Sequence, residues 1–90
     1  MRIFPDITYS ALFAVLRAQG FVEVPNAKAR VWEHTVSGAE LILPKLRDDE
    51  PLRSYHYGAA RAMMSDYSLM TREQFDLTLL GATHQLPVTV

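Results

Sequence analysis

Ala29-Arg30-Val31-Trp32-Glu33-His34, the turn pair Ser37-Gly38 and the answering run Ala39-Glu40-Leu41-Ile42-Leu43-Pro44 decide how this chain is read. Arg30 to His34 mixes β-branched, aromatic and charged residues, and two residues suffice to reverse an antiparallel pair. The stretch predicts a β-hairpin, with strands over Lys28–Val36 and Ala39–Leu43. Side chains alternate along a strand, so Ala29, Val31, Glu33 and Thr35 share one face, and Arg30, Trp32, His34 and Val36 the other. Neither face is cleanly apolar, and the third strand repeats the ambiguity with Leu41 and Leu43 against Ile42. One face must meet helices. The other, read as a Trp32/Ile42 surface, either binds a partner or is covered by the C-terminal segment, because a small domain rarely leaves a tryptophan in water.

Upstream, Tyr9, Leu12, Phe13 and Leu16 fall at i, i+3, i+4 and i+7, the stripe of a buried helix. Thr8 is positioned to cap that helix and Gly20 to stop it. Residues 1–7 read as a leader or a short edge segment, and Phe21-Val22-Glu23-Val24 as a first strand ended by Pro25-Asn26. Downstream, Lys45 to Glu50 is a charged linker, and Pro51 fits the first turn of a second helix. That helix covers at least Tyr55 to Asp66, with Tyr55, Ala59, Ala62, Met63 and Asp66 on one stripe. Thr71-Arg72-Glu73-Gln74 fits a capping box, with Met70 and Phe75 at the positions of a hydrophobic staple. A short third helix follows and ends at Gly81. Leu86 to Val90 reads either as a tail strand or as a loose end. The sum is an α+β fold, helix–three-stranded antiparallel sheet–helix, with an extra short C-terminal helix: one domain over residues 1–81 and a tail over 82–90.

Composition narrows the function. At 49% hydrophobic and 21% charged residues the chain is too apolar for a disordered protein. It has no cysteine, which removes disulfides and thiolate metal sites and fits a reducing cytoplasm. The longest apolar run, Ala11 to Leu16, is far short of the roughly 20 residues of a membrane span, and the start does not resemble a signal peptide, so no membrane association is expected. Net charge is −1 and the basic residues are dispersed, so any binding of nucleic acid must rest on a local patch.

The order helix, three strands, helix is that of the double-stranded-RNA-binding-like (dsRBD-like) architecture. The chain resembles the HicA family of messenger-RNA interferase toxins, small proteins of type II toxin–antitoxin pairs. Leu16 to Phe21, Arg30 to His34, Leu41 to Pro44 and Met70-Thr71-Arg72-Glu73-Gln74-Phe75 carry the likeness, over roughly residues 8–80. It implies RNA as substrate and an antitoxin as partner. With Trp32 and His34 aligned on the family's aromatic and second histidine, Ala27-Lys28-Ala29 occupies its Gly-Ser-His motif, and Ala29 stands where the catalytic histidine belongs. Alanine can neither take nor give a proton. The chain also lacks the lysine-rich start of the second helix that grips phosphate. The resemblance therefore implies a toxin-like RNA-binding protein with impaired or lost ribonuclease activity. The alternative is a non-catalytic protein–protein interaction module that keeps the fold.

On the first reading Lys28, Arg30 and Trp32 contact RNA and His34 is the surviving base, with Arg30 two residues away to hold phosphate. On the second, Trp32 and Ile42 form the partner surface; an antitoxin, another protein or a second copy of the chain would occupy it. His56, between Tyr55 and Tyr57, reads as a surface histidine beside core tyrosine, and His84 has no visible partner. His34, His56 and His84 lack the short spacings of a zinc site, and Asp48-Asp49-Glu50 reads as a solvated linker, so neither metal nor cofactor is expected.

Overall fold

The computed structural model describes residues 7–83. Its elements are α1 (Tyr9–Ala18), β1 (Val22–Val24), β2 (Ala29–His34), β3 (Ala39–Pro44), α2 (Ser54–Asp66) and α3 (Arg72–Thr83). The strands form one antiparallel sheet in the order β1-β2-β3. α1 packs against α3, and α2 against both β3 and α3. The fold is α+β, helix, sheet and two helices, as the alternation of periodicities predicts. Residues 1–6 of the expected leader (1–7), the tail strand and His84 lie outside the described residues.

α1 buries Tyr9, Leu12, Phe13 and Leu16, the predicted stripe, together with Ala11 and Val15. Gly20 ends it in the left-handed conformation (φ +97°). The Gly20 N–H donates to Arg17 O at 3.0 Å and the Phe21 N–H to Leu16 O at 2.9 Å. This is a Schellman closure, and Phe21 drops into the core beside Leu16. At the other end Thr8 occupies the cap position without a side-chain bond. The Tyr9 and Ser10 N–H groups instead donate to the carbonyls of Glu50 and Asp48, at 3.1 and 2.9 Å. The charged linker is therefore folded against the start of α1.

Three expectations are corrected here. Pro51 does not open α2; it bridges Thr8, and the helix begins at Ser54. The buried stripe of α2 is His56, Ala60, Met63 and Met64, one residue on from the predicted one, and Tyr55 is 65% exposed. The histidine is inside because its Nδ1 accepts from the Tyr9 hydroxyl, which accepts in turn from the Arg53 N–H. α3 runs through Gly81 to Thr83, since an exposed, right-handed glycine is no stop signal.

The capping box of α3 is formed. The Thr71 N–H donates to Gln74 Oε1 at 2.9 Å and the Gln74 N–H to Thr71 Oγ1 at 3.1 Å. Met70 and Phe75 are buried around it. Asp76 ties α3 to α2 by accepting from the Tyr57 hydroxyl (2.6 Å) and from Arg61 Nε and Nη2 (3.1 and 3.0 Å).

Candidate functional site

The hairpin turn is longer than two residues. His34 pairs with Ala39 across the loop Thr35–Gly38, which the Gly38 N–H closes onto His34 O at 2.8 Å, with Gly38 at φ +84°. The register then sets Trp32 opposite Leu41, Arg30 opposite Leu43 and Val31 opposite Ile42. Ala39, Leu41 and Leu43 are buried while Glu40, Ile42 and Pro44 are exposed. Arg30, Trp32 and His34 therefore lie on the face covered by helices.

Trp32 is 0% exposed and stacks on Phe13, with ring centroids 4.9 Å apart and planes 21° off parallel. The Arg17 guanidinium stands 5.1 Å from its ring centroid. Its Nε1 has no hydrogen-bond partner among the described residues. Trp32 is a core residue, so neither RNA nor a protein partner reaches it as the structure stands. Ile42, 60% exposed, is on the opposite face beside Val31. The expected Trp32/Ile42 surface is thus split by the sheet.

Arg30 is committed to carboxylates. Its Nε and Nη2 donate to the two oxygens of Glu23 at 2.7 and 2.8 Å, a bidentate pair. Nη1 donates to Asp48, and the guanidinium lies 4.4 Å from the Phe13 ring centroid. The Glu23 bond, followed by that of Asp48, raises the Arg30 pKa against partial desolvation; the same bond holds the Glu23 carboxyl below its usual range. One cation between two anions makes the spot net acidic. Arg30 cannot hold phosphate without giving up these partners.

His34 is half-buried and serves the turn. Its Nδ1 accepts from the Ser37 N–H at 3.2 Å and meets Ser37 Oγ at 2.8 Å. That oxygen accepts from the Ala39 N–H at 3.1 Å, so its hydroxyl proton is directed at the ring. The partners assign the proton of His34 to Nε2, the edge nearest Gly20. The ring packs on Phe21, 5.0 Å between centroids. No acidic or basic side chain bonds to it among the described residues, and His34 has the contacts of a turn anchor rather than of a base.

Lys28 is exposed in the β1–β2 turn, where Asn26 Oδ1 accepts from the N–H groups of Lys28 and Ala29 at 2.8 and 3.0 Å. It is the one proposed RNA contact whose charge points to no carboxylate among the described residues. Ala29 lies opposite Pro44 on the outer face, turned away from Arg30, Trp32 and His34. The four sites foreseen on the hairpin do not converge. The linker acids are also engaged: Asp48 with Arg30, Asp49 with Arg47, and Glu50 with the Arg47 N–H.

The outer face carries residues that the pattern of the chain did not single out. Val24, Val31 and Ile42 form a row across all three strands. On one side of it Val22, Glu33 and Glu40 form a second row, in which the two glutamates sit directly opposite each other. On the other side Ala29 faces Pro44, with exposed Lys28 and Lys45 the next residues along the chain. Parity was the signal that could have found this face, because a two-residue turn also pairs Trp32 with an odd-numbered residue of β3, never with Ile42.

Compared with protein-family models, curated proteins and solved structures, the chain matches none. No helix among the described residues is long and apolar enough to cross a membrane.

Proposed function

We propose that this chain is a non-catalytic protein–protein interaction module of the cytoplasm, built on the helix–sheet–helix layout that its sequence shares with HicA-like toxins. The observation that carries this reading is the Arg30 cluster. The one hairpin cation beside a histidine is bound to Glu23 and Asp48 and stacked on Phe13, while His34 is held by its own turn. A ribonuclease acting through a 2′-hydroxyl needs a proton carrier and a phosphate-binding cation at one place. Ala29 supplies no proton carrier, and its side chain leaves the sheet on the face away from Arg30. Exposed Val22 and Ile42 on the outer face supply the apolar contact surface instead.

The competing reading, a HicA-like RNA-binding protein of a toxin–antitoxin pair with its ribonuclease impaired, is favoured by Lys28 and Lys45, exposed at one end of the hairpin and in no ion pair among the described residues. One experiment separates them: RNA cleavage in vitro, and growth on induced expression, for the natural chain and for Ala29→His. The interaction reading expects intact RNA and normal growth with both. Cleavage by either protein overturns it. Cleavage gained only in Ala29→His would mean that an RNA groove survives around Lys28 and Lys45.

A further inference from the structure

Residues 45–53 form a strap between β3 and α2, and no residue from Lys45 to Tyr55 is buried. Leu46 and Leu52 rest against the core without entering it. The strap is held mainly by hydrogen bonds to the start of α1. The Ser10 N–H donates to Asp48 O at 2.9 Å, the Tyr9 N–H to Glu50 O at 3.1 Å and the Leu52 N–H to Ile7 O at 2.9 Å. At its end the Arg53 N–H donates to the Tyr9 hydroxyl, which donates in turn to His56 Nδ1. Its beginning holds Arg30, whose Nη1 donates to Asp48 and to Leu46 O. A segment that buries so little apolar surface opens at a lower free energy than the core around it.

The first turn of α2 is weakly secured as well. Arg53, its N-cap, makes no side-chain cap bond, and the turn has no acidic residue. His56, the third residue of the helix, is 7% exposed, with its ring 5.7 Å from that of Tyr9 and 4.2 Å from that of Tyr55. The titratable and charged groups that face it are the Tyr9 hydroxyl from α1, Tyr55 beside it and cationic Arg53, with Glu50 of the strap beyond Tyr9. No carboxylate bonds to it among the described residues. The Tyr9 hydroxyl uses the lone pair on Nδ1, so the closed site takes the neutral ring. A proton at Nδ1 removes that acceptor and buries a charge without an anion. It also adds a second cation to Arg53 at the positive end of the helix dipole. Burial and then Arg53 hold the ring below its ordinary value, in the same sense.

We infer that His56 is the latch of an acid-sensitive strap: when it takes a proton, the first turn of α2 unwinds, residues 45–53 lift from α1, and Arg30 loses Asp48. In the open form the guanidinium keeps Glu23 and exposes Nη1, so pH sets how far the inner-face cation is available. The closed strap favours the neutral ring and the open one accepts either form. Closure is therefore fully favoured above the ordinary histidine value near 6.5 and weakens as pH falls below it. The strap is independent of what the outer face binds, and its test stands apart from that of the proposed function.

The test is amide hydrogen exchange by NMR on the natural chain and on His56→Gln, from about pH 7.5 to about pH 5, with rates corrected for their intrinsic pH dependence. The Tyr9, Ser10 and Leu52 amides report on the strap because they bond across it, and Ser10 reports on Asp48 in particular. The Phe21 amide, bonded to Leu16 O in the core, reports on global unfolding. The three strap amides are expected to be less protected than Phe21 and insensitive to dilute urea. In the natural chain their protection should fall by up to about tenfold per pH unit below about 6.5. In His56→Gln, whose amide oxygen offers Tyr9 an acceptor at every pH, that slope should be absent. Strap amides as protected as Phe21 overturn the inference, because the strap then opens only with the whole fold. Protection that does not change with pH overturns it too, as does a slope that survives in His56→Gln. Should the variant not fold, the His56 ring resonances of the natural chain decide. A midpoint below about 6.5 fits a latch closed on the neutral ring, and one at or above that value overturns it.

Discussion

Two substitutions of Trp32 measure what its burial means. In Trp32→Ala both rings go, Phe13 loses its stacking partner at 4.9 Å and Arg17 the surface beneath it. Large aromatic to alanine changes in a core cost about 3–5 kcal/mol. At 0.05–0.15 kcal/mol per residue, a chain of 90 residues has about 5–13 kcal/mol in all, so the loss is a large share of it. Trp32→Phe should behave differently. It removes three heavy atoms from a close-packed site, about 2 kcal/mol at ~0.8 kcal/mol per methylene. It also removes an indole N–H that is buried without a partner among the described residues, whose desolvation costs about 1–3 kcal/mol. The two changes oppose each other, and the net is expected within about 1 kcal/mol of zero.

Urea unfolding followed by far-UV circular dichroism reads both variants. Trp32 is the only tryptophan, so its fluorescence disappears with it. A loss of about 3 kcal/mol or more in Trp32→Phe would refute the orphaned N–H, because only a bonded indole makes that substitution so costly. A loss under about 1 kcal/mol in Trp32→Ala would refute its place in the core. If both hold, lost binding in Trp32→Ala reports on folding, and the surface must be probed at Ile42 instead.

Other perturbations follow from single contacts. Arg30 holds the Glu23 carboxyl below its usual range, so this pair stabilises the fold fully above the ordinary carboxylate pKa near 4.3 and less as pH falls through the lowered value. Glu23→Gln should flatten that part of the acid-unfolding curve; an unchanged curve would show that the pair contributes nothing. Burial, then the Arg53 charge, pushes His56 below its usual range. Stability should therefore decline as pH falls from about 6.5, where the unfolded chain takes a proton that the folded one refuses, and His56→Gln should remove that slope in denaturant titrations at successive pH values. Tyr9→Phe leaves the buried His56 Nδ1 without its donor and should cost about 1–2 kcal/mol in urea unfolding at neutral pH. Thr71→Ala breaks the α3 capping box, with an expected loss of about 1 kcal/mol and faster amide exchange in the first turn of α3. Unaltered exchange would deny the cap its role.

What was legible in the sequence is what short-range chemistry encodes. The stripe of α1, its glycine stop and the Thr71–Gln74 box each depend on residues a few positions apart, and each is formed. α2 was read one residue out of phase because tyrosine is ordinarily the better core residue. What draws His56 inside is Tyr9, 47 positions earlier. Arg30 looks like a phosphate contact in the sequence, where its neighbours are Ala29 and Val31. Glu23 reaches it from the next strand and Asp48 from the linker, 7 and 18 positions away. The pairing parity of the hairpin was available, and it already separated Trp32 from Ile42.

That parity also decides which chemistry the hairpin retains. Turning Arg30, Trp32 and His34 inward requires a counter-charge for the first, a stacking partner for the second and a bonded turn for the third. Glu23 with Asp48, Phe13, and Ser37 supply them. The polar partners of the fold are spent on the inner face. The outer face keeps exposed Val22 and Ile42 and two opposed glutamates, a cross-strand pair of like charges that costs stability. A slip of one residue in register would exchange the faces and bury Glu33 and Glu40 under the helices, so the register cannot relax to remove the strain.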